Sequence, residues 1–184
     1  MNAARLFHTA SILTNGNVLV VGGTADGSTA LSSAEVYDSS TGVWTTTGTM
    51  NAARLFHTAS ILTNGNVLVV GGTADGSTAL SSAEVYDSST GVWTTTGTMN
   101  AARLFHTASI LTNGNVLVAG GTADGSTALS SAEVYDSSTG IWTTTVTMNT
   151  ARFFHTASIL TNGNVLVADG ANIPTILSSA EVYG

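Results

Sequence analysis

Four histidines recur at equal intervals along the chain, and imidazole is a common ligand of transition metals. Each lies 49 residues after the previous one, and the four are His8, His57, His106 and His155. A ring of neutral imidazoles at equal height could bind zinc, copper or nickel. The alternative is that each His hydrogen-bonds the backbone or a neighbouring unit. We favour this alternative, because any residue of a repeated unit recurs once per unit, and we expect no metal site.

Three aspartates recur at the same interval, and each is followed by Gly, Ser and Thr. An Asp-Gly pair is typical of a turn in which the carboxylate accepts backbone hydrogen bonds, and we favour that structural role. Three equivalent carboxylates could also attract a cation or a hydroxyl-rich ligand such as a sugar. The candidate binding residues are Asp26, Ser28, Thr29, Asp75, Ser77, Thr78, Asp124, Ser126 and Thr127.

The four arginines match four glutamates in number. The arginines are Arg5, Arg54, Arg103 and Arg152, and the glutamates are Glu35, Glu84, Glu133 and Glu181. A planar guanidinium can bind a carboxylate through two parallel hydrogen bonds, so a partly buried Glu could be satisfied in this way. We predict structural bidentate pairs, and a ring of arginines that binds an anion is the less favoured interpretation.

Composition excludes several classes of function. Without Cys there is no disulfide, no thiolate nucleophile and no thiolate-ligated metal. Eleven acidic residues against four basic ones give a net charge of −7, which disfavours nucleic acid and anionic membranes as partners. We find no signal peptide and no apolar stretch long enough to span a membrane, although the Thr, Ser, Gly and Asn content leans towards extracellular proteins. We also expect no cofactor.

These residues recur because the whole chain is a tandem repeat, which we treat as one domain over residues 1–184. Its second unit is identical to the first, the third differs slightly, and the fourth is shorter. A period near 50 residues is typical of β-propellers, whereas two-helix repeats are shorter and show a helical apolar spacing that is missing here. The units are 1–49, 50–98, 99–147 and 148–184.

Each unit contains four segments with the composition of β-strands. In the first unit they are 7–13, 18–21, 34–37 and 43–47. The dipeptide Asn15-Gly16 between the first two predicts a tight hairpin of type I′. The second segment is apolar at consecutive positions, as expected for a strand covered on both faces. We therefore predict an all-β fold of four-stranded antiparallel sheets, the last of which lacks its outer strand.

Each of the first three units has four features that together resemble the kelch repeat. They are an Arg before the first strand, a Gly-Gly pair after the second, a Tyr at the end of the third and a Trp seven residues after that Tyr. The resemblance covers essentially the whole chain and implies a β-propeller. The fourth unit departs from the pattern, since Asp169 replaces the first Gly and no Trp follows. The residues that match are Arg5, Gly22, Gly23, Tyr37, Trp44, Arg54, Gly71, Gly72, Tyr86, Trp93, Arg103, Gly120, Gly121, Tyr135, Trp142, Arg152, Gly170 and Tyr183.

The longer connections of each unit, 24–33 and 48–55 in the first, lie at one end of the blades and are the candidate binding face. Kelch proteins are similar in using that face for partners. Our leading hypothesis is a non-catalytic scaffold for a protein or glycan. One alternative is a carbohydrate-processing enzyme at the channel mouth, resembling kelch-type sugar oxidases or isomerases. The other is an amplified or engineered blade array with no function of its own.

Four blades are fewer than the six or seven that usually close a kelch ring, so we expect two apolar flanks, at 18–21 and 165–167. A tight four-bladed closure could cover them, but we favour a homodimer that completes an eight-bladed ring. Tyr and Trp are expected to pack between blades. Because the blade after it is incomplete, Trp142 is expected to contribute less than Trp93.

Overall fold

The computed structural model describes residues 1–184 and contains only β-structure. It has no helix, and therefore none that could span a membrane. Each of the first three repeats forms one antiparallel sheet of four strands, arranged in the order in which they occur along the chain. The predicted all-β fold of four-stranded blades is confirmed.

The first blade consists of β1 (Thr9–Ile12), β2 (Val18–Val21), β3 (Ala34–Tyr37) and β4 (Trp44–Thr46). The second and third strands have the predicted bounds, while the first begins two residues later than predicted. Phe7 explains this difference, because its φ of 58° is incompatible with an extended strand.

The second and third blades repeat this arrangement, and the fourth is incomplete. The last blade has three strands, so its outer strand is missing as predicted, and a small hairpin occupies its longest loop. The remaining strands are β5 (Thr58–Ile61), β6 (Val67–Val70), β7 (Ala83–Tyr86), β8 (Trp93–Thr95), β9 (Thr107–Ile110), β10 (Val116–Ala119), β11 (Ala132–Asp136), β12 (Ile141–Thr144), β13 (Thr156–Ile159), β14 (Val165–Ala168), β15 (Ala171–Asn172), β16 (Thr175–Ile176) and β17 (Ala180–Tyr183).

The hairpin turn between β1 and β2 is not of the predicted type I′. Only Gly16 has a positive φ, of 83°, whereas Asn15 does not. The amide of Gly16 donates to the carbonyl of Leu13, and the side chain of Asn15 accepts a hydrogen bond from the amide of Asn17. This is a turn of three residues followed by a bulge at Gly, a connection that Asn-Gly serves equally well.

Apolar side chains of the inner strands hold neighbouring blades together. Two equivalent clusters of nine buried residues lie between blades one and two and between blades two and three. Every residue of β6 is buried, because one set of alternate side chains faces the preceding blade and the other faces the following one. The predicted burial of the second strand is therefore confirmed in the middle blades.

Trp93 and Trp142 each pack against the blade that precedes their own. Trp93 joins Leu19 and Met50 of the first interface, and the indole of Trp142 donates to the carbonyl of Gly97 at 2.9 Å. Both indoles are 8% exposed and both contact the preceding blade, so the geometry favours similar contributions from Trp93 and Trp142. The fourth blade has no Trp, and a cavity of about 250 Å³ lies at the corresponding place, beside Leu117, Val146 and Tyr183.

The four blades form an open array, because no hydrogen bond and no aromatic contact joins blade four to blade one. The predicted exposure of the end strands is wrong in most positions. Leu19 and Val21 are covered by blade two, and Val165 and Val167 pack against blade three. The flanks instead expose loop residues, notably Leu6 at 53% and Phe154 at 61%.

Trp93→Ala is expected to lower the free energy of unfolding by about 3–5 kcal/mol, because it empties a buried site between two blades. Trp142→Ala should have an effect of the same size. Trp44→Ala is the matched control: this Trp is only half buried and has no preceding blade, so we expect a loss of about 1 kcal/mol. Denaturant unfolding measures all three, and equal losses for Trp44 and Trp93 would contradict packing between blades.

Candidate functional site

A buried ion pair ties together the loops at one end of each blade. The guanidinium of Arg54 donates to the carboxylate of Glu84 at 2.8 Å, and the two side chains are 0% and 1% exposed. The other end of the guanidinium donates to the carbonyls of Gly71 and Ser82. Equivalent pairs occur in all four blades, which confirms the predicted partners.

The pairs are not bidentate as predicted, because the second nitrogen of each Arg is engaged by backbone carbonyls. The second oxygen of Glu84 accepts from the amide of Asn51 instead, and its first oxygen also accepts from the amide of Ala52. In the third blade, burial raises the pKa of Glu133, but hydrogen bonds from Arg103, Asn100 and Ala101 outweigh this effect and lower it overall. The arginines therefore form structural contacts and leave no open anion site.

The histidines connect blades to one another. Nε2 of His57 lies 2.9 Å from the hydroxyl of Thr9 in the preceding blade, and His106 and His155 repeat this contact with Thr58 and Thr107. The predicted bond to a neighbouring blade is thus confirmed for three of the four. His8 has no preceding blade and is exposed. No three His, Asp or Glu side chains come together in an arrangement that could hold a metal ion.

The candidate aspartates lie in exposed loops, and their carboxylates organise those loops. One oxygen of Asp26 accepts from the amides of Ser28 and Thr29 and from the hydroxyl of Thr24, while the other accepts from the hydroxyl of Thr29. These hydrogen bonds, with the amide of Thr29 first, hold the pKa of Asp26 well below its usual range. Asp75 and Asp124 repeat the geometry. The amide of Ala79 in the loop of Asp75 donates to the carbonyl of Ala123 beside Asp124, so these two loops touch, and each carboxylate stays ionised.

A row of phenylalanines beside these loops was missed in the sequence. Phe7, Phe56, Phe105 and Phe154 stack from blade to blade with ring centroids 4.4, 4.5 and 4.0 Å apart. All four have a positive φ between 55° and 58°, which is strained for a bulky side chain. The sequence placed Phe7 inside a strand, and only its recurrence before each His could have drawn attention to it.

The first strands of the blades line an open groove of about 520 Å³. Its walls are Ala, Ser and Ile side chains from β1, β5, β9 and β13. The groove is therefore neutral and offers no pair of acid and base groups.

The Arg, the Gly-Gly pair, the Tyr and the Trp of the repeated unit predicted kelch blades, and a comparison with family models confirms the prediction. The family model of the KLHDC2/KLHL20/DRC7 Kelch-repeats domain matches residues 2–170. The chain belongs to the kelch-repeat family. A search of curated proteins finds no match. Kelch-repeat domains typically mediate protein interaction and are generally non-enzymatic scaffolds.

The surface of this kelch array has charge of one sign. All four arginines have side chains that are 0% exposed and bind glutamates, and the chain has no Lys. The seven aspartates remain, and they account for the net charge of −7. Three lie in the long loops near the Phe row. Three others lie at the turn after the third strand, where each accepts hydrogen bonds from the Ser two residues later.

The buried histidines are expected to make the kelch blades sensitive to mild acid. Burial, followed by the charge of the neighbouring Arg, lowers the pKa of His57 to about 3, and burial lowers that of His155 to about 4. The unfolded chain, with His near 6.5, then binds more protons than the folded chain between these values. Stability should therefore fall as the pH drops from about 6.5, by up to about 1.4 kcal/mol per pH unit for each buried His.

This effect can be measured as urea midpoints between about pH 5.5 and 7.5, above the range in which the carboxylates of the folded and unfolded chains titrate. His57→Gln removes one of three buried imidazoles and should reduce the slope by about a third. His8→Gln, at an exposed position, is the control and should leave the slope unchanged. Equal slopes for wild type and His57→Gln would show that the imidazole does not titrate as expected.

Proposed function

We propose that this kelch array is a non-catalytic scaffold that binds a basic, partly apolar segment of a partner protein at one end of its blades. The binding surface, here called the loop face, combines the row of phenylalanines with Asp26, Asp75 and Asp124. The burial of every Arg in an ion pair is the observation that carries the proposal. It leaves only carboxylates as charged side chains on this face, so electrostatic complementarity favours a cationic partner.

The two parts of the loop face lie at the same end of each blade. The backbones of Leu6 and Thr24 exchange two hydrogen bonds of 2.8 Å, which place the loop of Asp26 beside the residue that precedes Phe7. Thr24 also donates its hydroxyl to Asp26. A partner that reaches the aromatic rings therefore meets the carboxylates as well.

The phenylalanines supply the apolar part of the surface. Phe7 is 45% exposed and Phe154 is 61% exposed, and the backbone strain at these residues is maintained in every blade. Strained backbone is retained where the surroundings impose it, and it is concentrated at binding sites. The repetition also presents similar patches one blade apart, so a partner with several basic residues gains from simultaneous contacts.

A glycan partner has less support from the geometry. Both oxygens of Asp26 already accept hydrogen bonds within the loop, which leaves little capacity for sugar hydroxyls. A sugar-processing enzyme has less support still, because the groove is lined by Ala, Ser and Ile. A positive charge can approach an ionised carboxylate without replacing its hydrogen bonds, which favours the protein partner.

The test compares two triple variants with the same change in charge. The first variant combines Asp26→Asn, Asp75→Asn and Asp124→Asn. It should bind a fluorescent peptide of alternating Lys and Leu about tenfold or more weakly than the wild type, as measured by anisotropy. The Asn oxygen can still accept the amide hydrogen bonds, so the fold should be retained. The matched control combines Asp38→Asn, Asp87→Asn and Asp136→Asn in the other turns, and it should change binding by less than about threefold.

Equal weakening by both triple variants would show attraction to net charge alone and would contradict the loop face. A peptide with Glu in place of Lys should not bind. Binding of neutral glycans on an array, without binding of the cationic peptide, would overturn the protein proposal in favour of the glycan alternative.

A further inference from the structure

Neighbouring blades approach one another closely at the Gly-Gly pair. The amide of Gly23 donates to the carbonyl of Arg54 in the next blade at 2.9 Å, and the same bond recurs from Gly72 and Gly121. We call this contact the seam. A Cβ on Gly22, the first Gly of the pair, would lie 2.5 Å from that carbonyl oxygen and 2.9 Å from Cε1 of His57. Only Gly fits at this position of a seam.

Asp169 occupies the position of that first Gly in the fourth blade, and its backbone has the same conformation. Its φ is 59°, compared with 62° at Gly22. Its carbonyl accepts from Arg152, as that of Gly22 accepts from Arg5, and its amide donates to Ser179, as that of Gly22 donates to Ser33. Asp169 therefore carries its Cβ at the place where the next blade would bring its Arg carbonyl and His ring.

The free flanks of blades four and one are otherwise matched. Within the array the His of each blade contacts a Thr of the preceding blade, and only Thr156 of blade four and His8 of blade one lack this contact. Phe154 and Phe7 likewise lie at the two ends of the aromatic row. Gly170 also has a free amide where the seam bond would form. The fourth blade would thus accept the first blade of a second copy, if Asp169 did not prevent it.

A second departure from the repeat has a similar effect at the preceding interface. Val146 stands where Gly48 and Gly97 lie in the earlier units, and a Cβ on Gly97 would lie 2.5 Å from the carbonyl oxygen of Gly140 in the next blade. A regular fourth blade with a Trp on its outer strand would therefore meet the side chain of Val146. Both substitutions disfavour continuation of the array, and both lie at contacts of the fourth blade.

We propose that Asp169 ends the array by excluding a further blade of this type, including the first blade of a second copy of the chain. Terminal units of repeat proteins commonly carry polar residues on their outer face, and Asp169 is exposed on this flank. The homodimer expected from the sequence repeated the contact between blades within the chain, and Asp169 obstructs that contact.

The test is Asp169→Gly, which restores the Gly-Gly pair. Light scattering after size exclusion should give 18.6 kDa for the wild type at all concentrations. The variant should show at least a twofold increase in mass, which reverses on dilution by mass action. Adding Leu6→Asp to the variant should restore the single-chain mass, because the residues equivalent to Leu6 are buried at the inner interfaces.

Asp169→Asn is the matched control, since it removes the charge but keeps the Cβ, and it should remain a single chain. Assembly of Asp169→Asn would show that charge rather than steric exclusion keeps the copies apart. Assembly of the wild type, or a single-chain mass for a folded Asp169→Gly at the highest concentration, would overturn the proposal. Gly71→Asp tests the same geometry within the chain, and it should lower the urea midpoint strongly; an unchanged midpoint would contradict the exclusion.

Discussion

The buried pair of Arg and Glu is the interaction on which the rest of each blade depends. A single guanidinium, such as that of Arg54, joins the carboxylate of Glu84 to the backbone of the Gly-Gly pair, and Glu84 in turn holds the loop that enters the blade. An isolated charge could not remain in such a place, because removing an unpaired charge from water costs several kcal/mol. Deleting one partner of a buried pair lowers the free energy of unfolding by on the order of 3–5 kcal/mol. The pair therefore requires the loops, the glycines and the strand ends to keep one arrangement.

The architecture could be predicted from the sequence because it is expressed in local patterns that occur several times. Strand positions followed from the apolar segments, and the pairing of Arg with Glu followed from their equal number. The direction in which each Trp packs did not follow, because residue spacing does not tell which neighbouring blade an indole contacts. The turn at Asn15 was assigned to the wrong type, since Asn-Gly suits two connections that differ in the φ of Asn and in loop length.

The candidate site was harder to predict than the fold. Sequence alone could identify Asp26 and its equivalents as loop residues, but it could not show that Thr24, Ser28 and Thr29 already occupy their carboxylates. The row of phenylalanines was missed because a bulky residue next to a strand is normally assigned to that strand. A positive φ at Phe7 is a property of the folded backbone, and it depends on contacts between blades that residue order does not reveal.

The identity of the first two units has a consequence for how the chain folds. A strand such as β2 could pair equally well with a strand of its own unit or with the identical strand of the next unit. Mispaired and correct blades would then differ mainly in the length of the loop between the paired strands. Tandem domains of identical sequence are prone to this kind of exchange during folding. The unlike residues of the last two units, Val146 and Asp169 among them, make the shifted registers unequal in energy. They make some blade contacts of an otherwise degenerate chain distinguishable, so that the correct pairing can be selected.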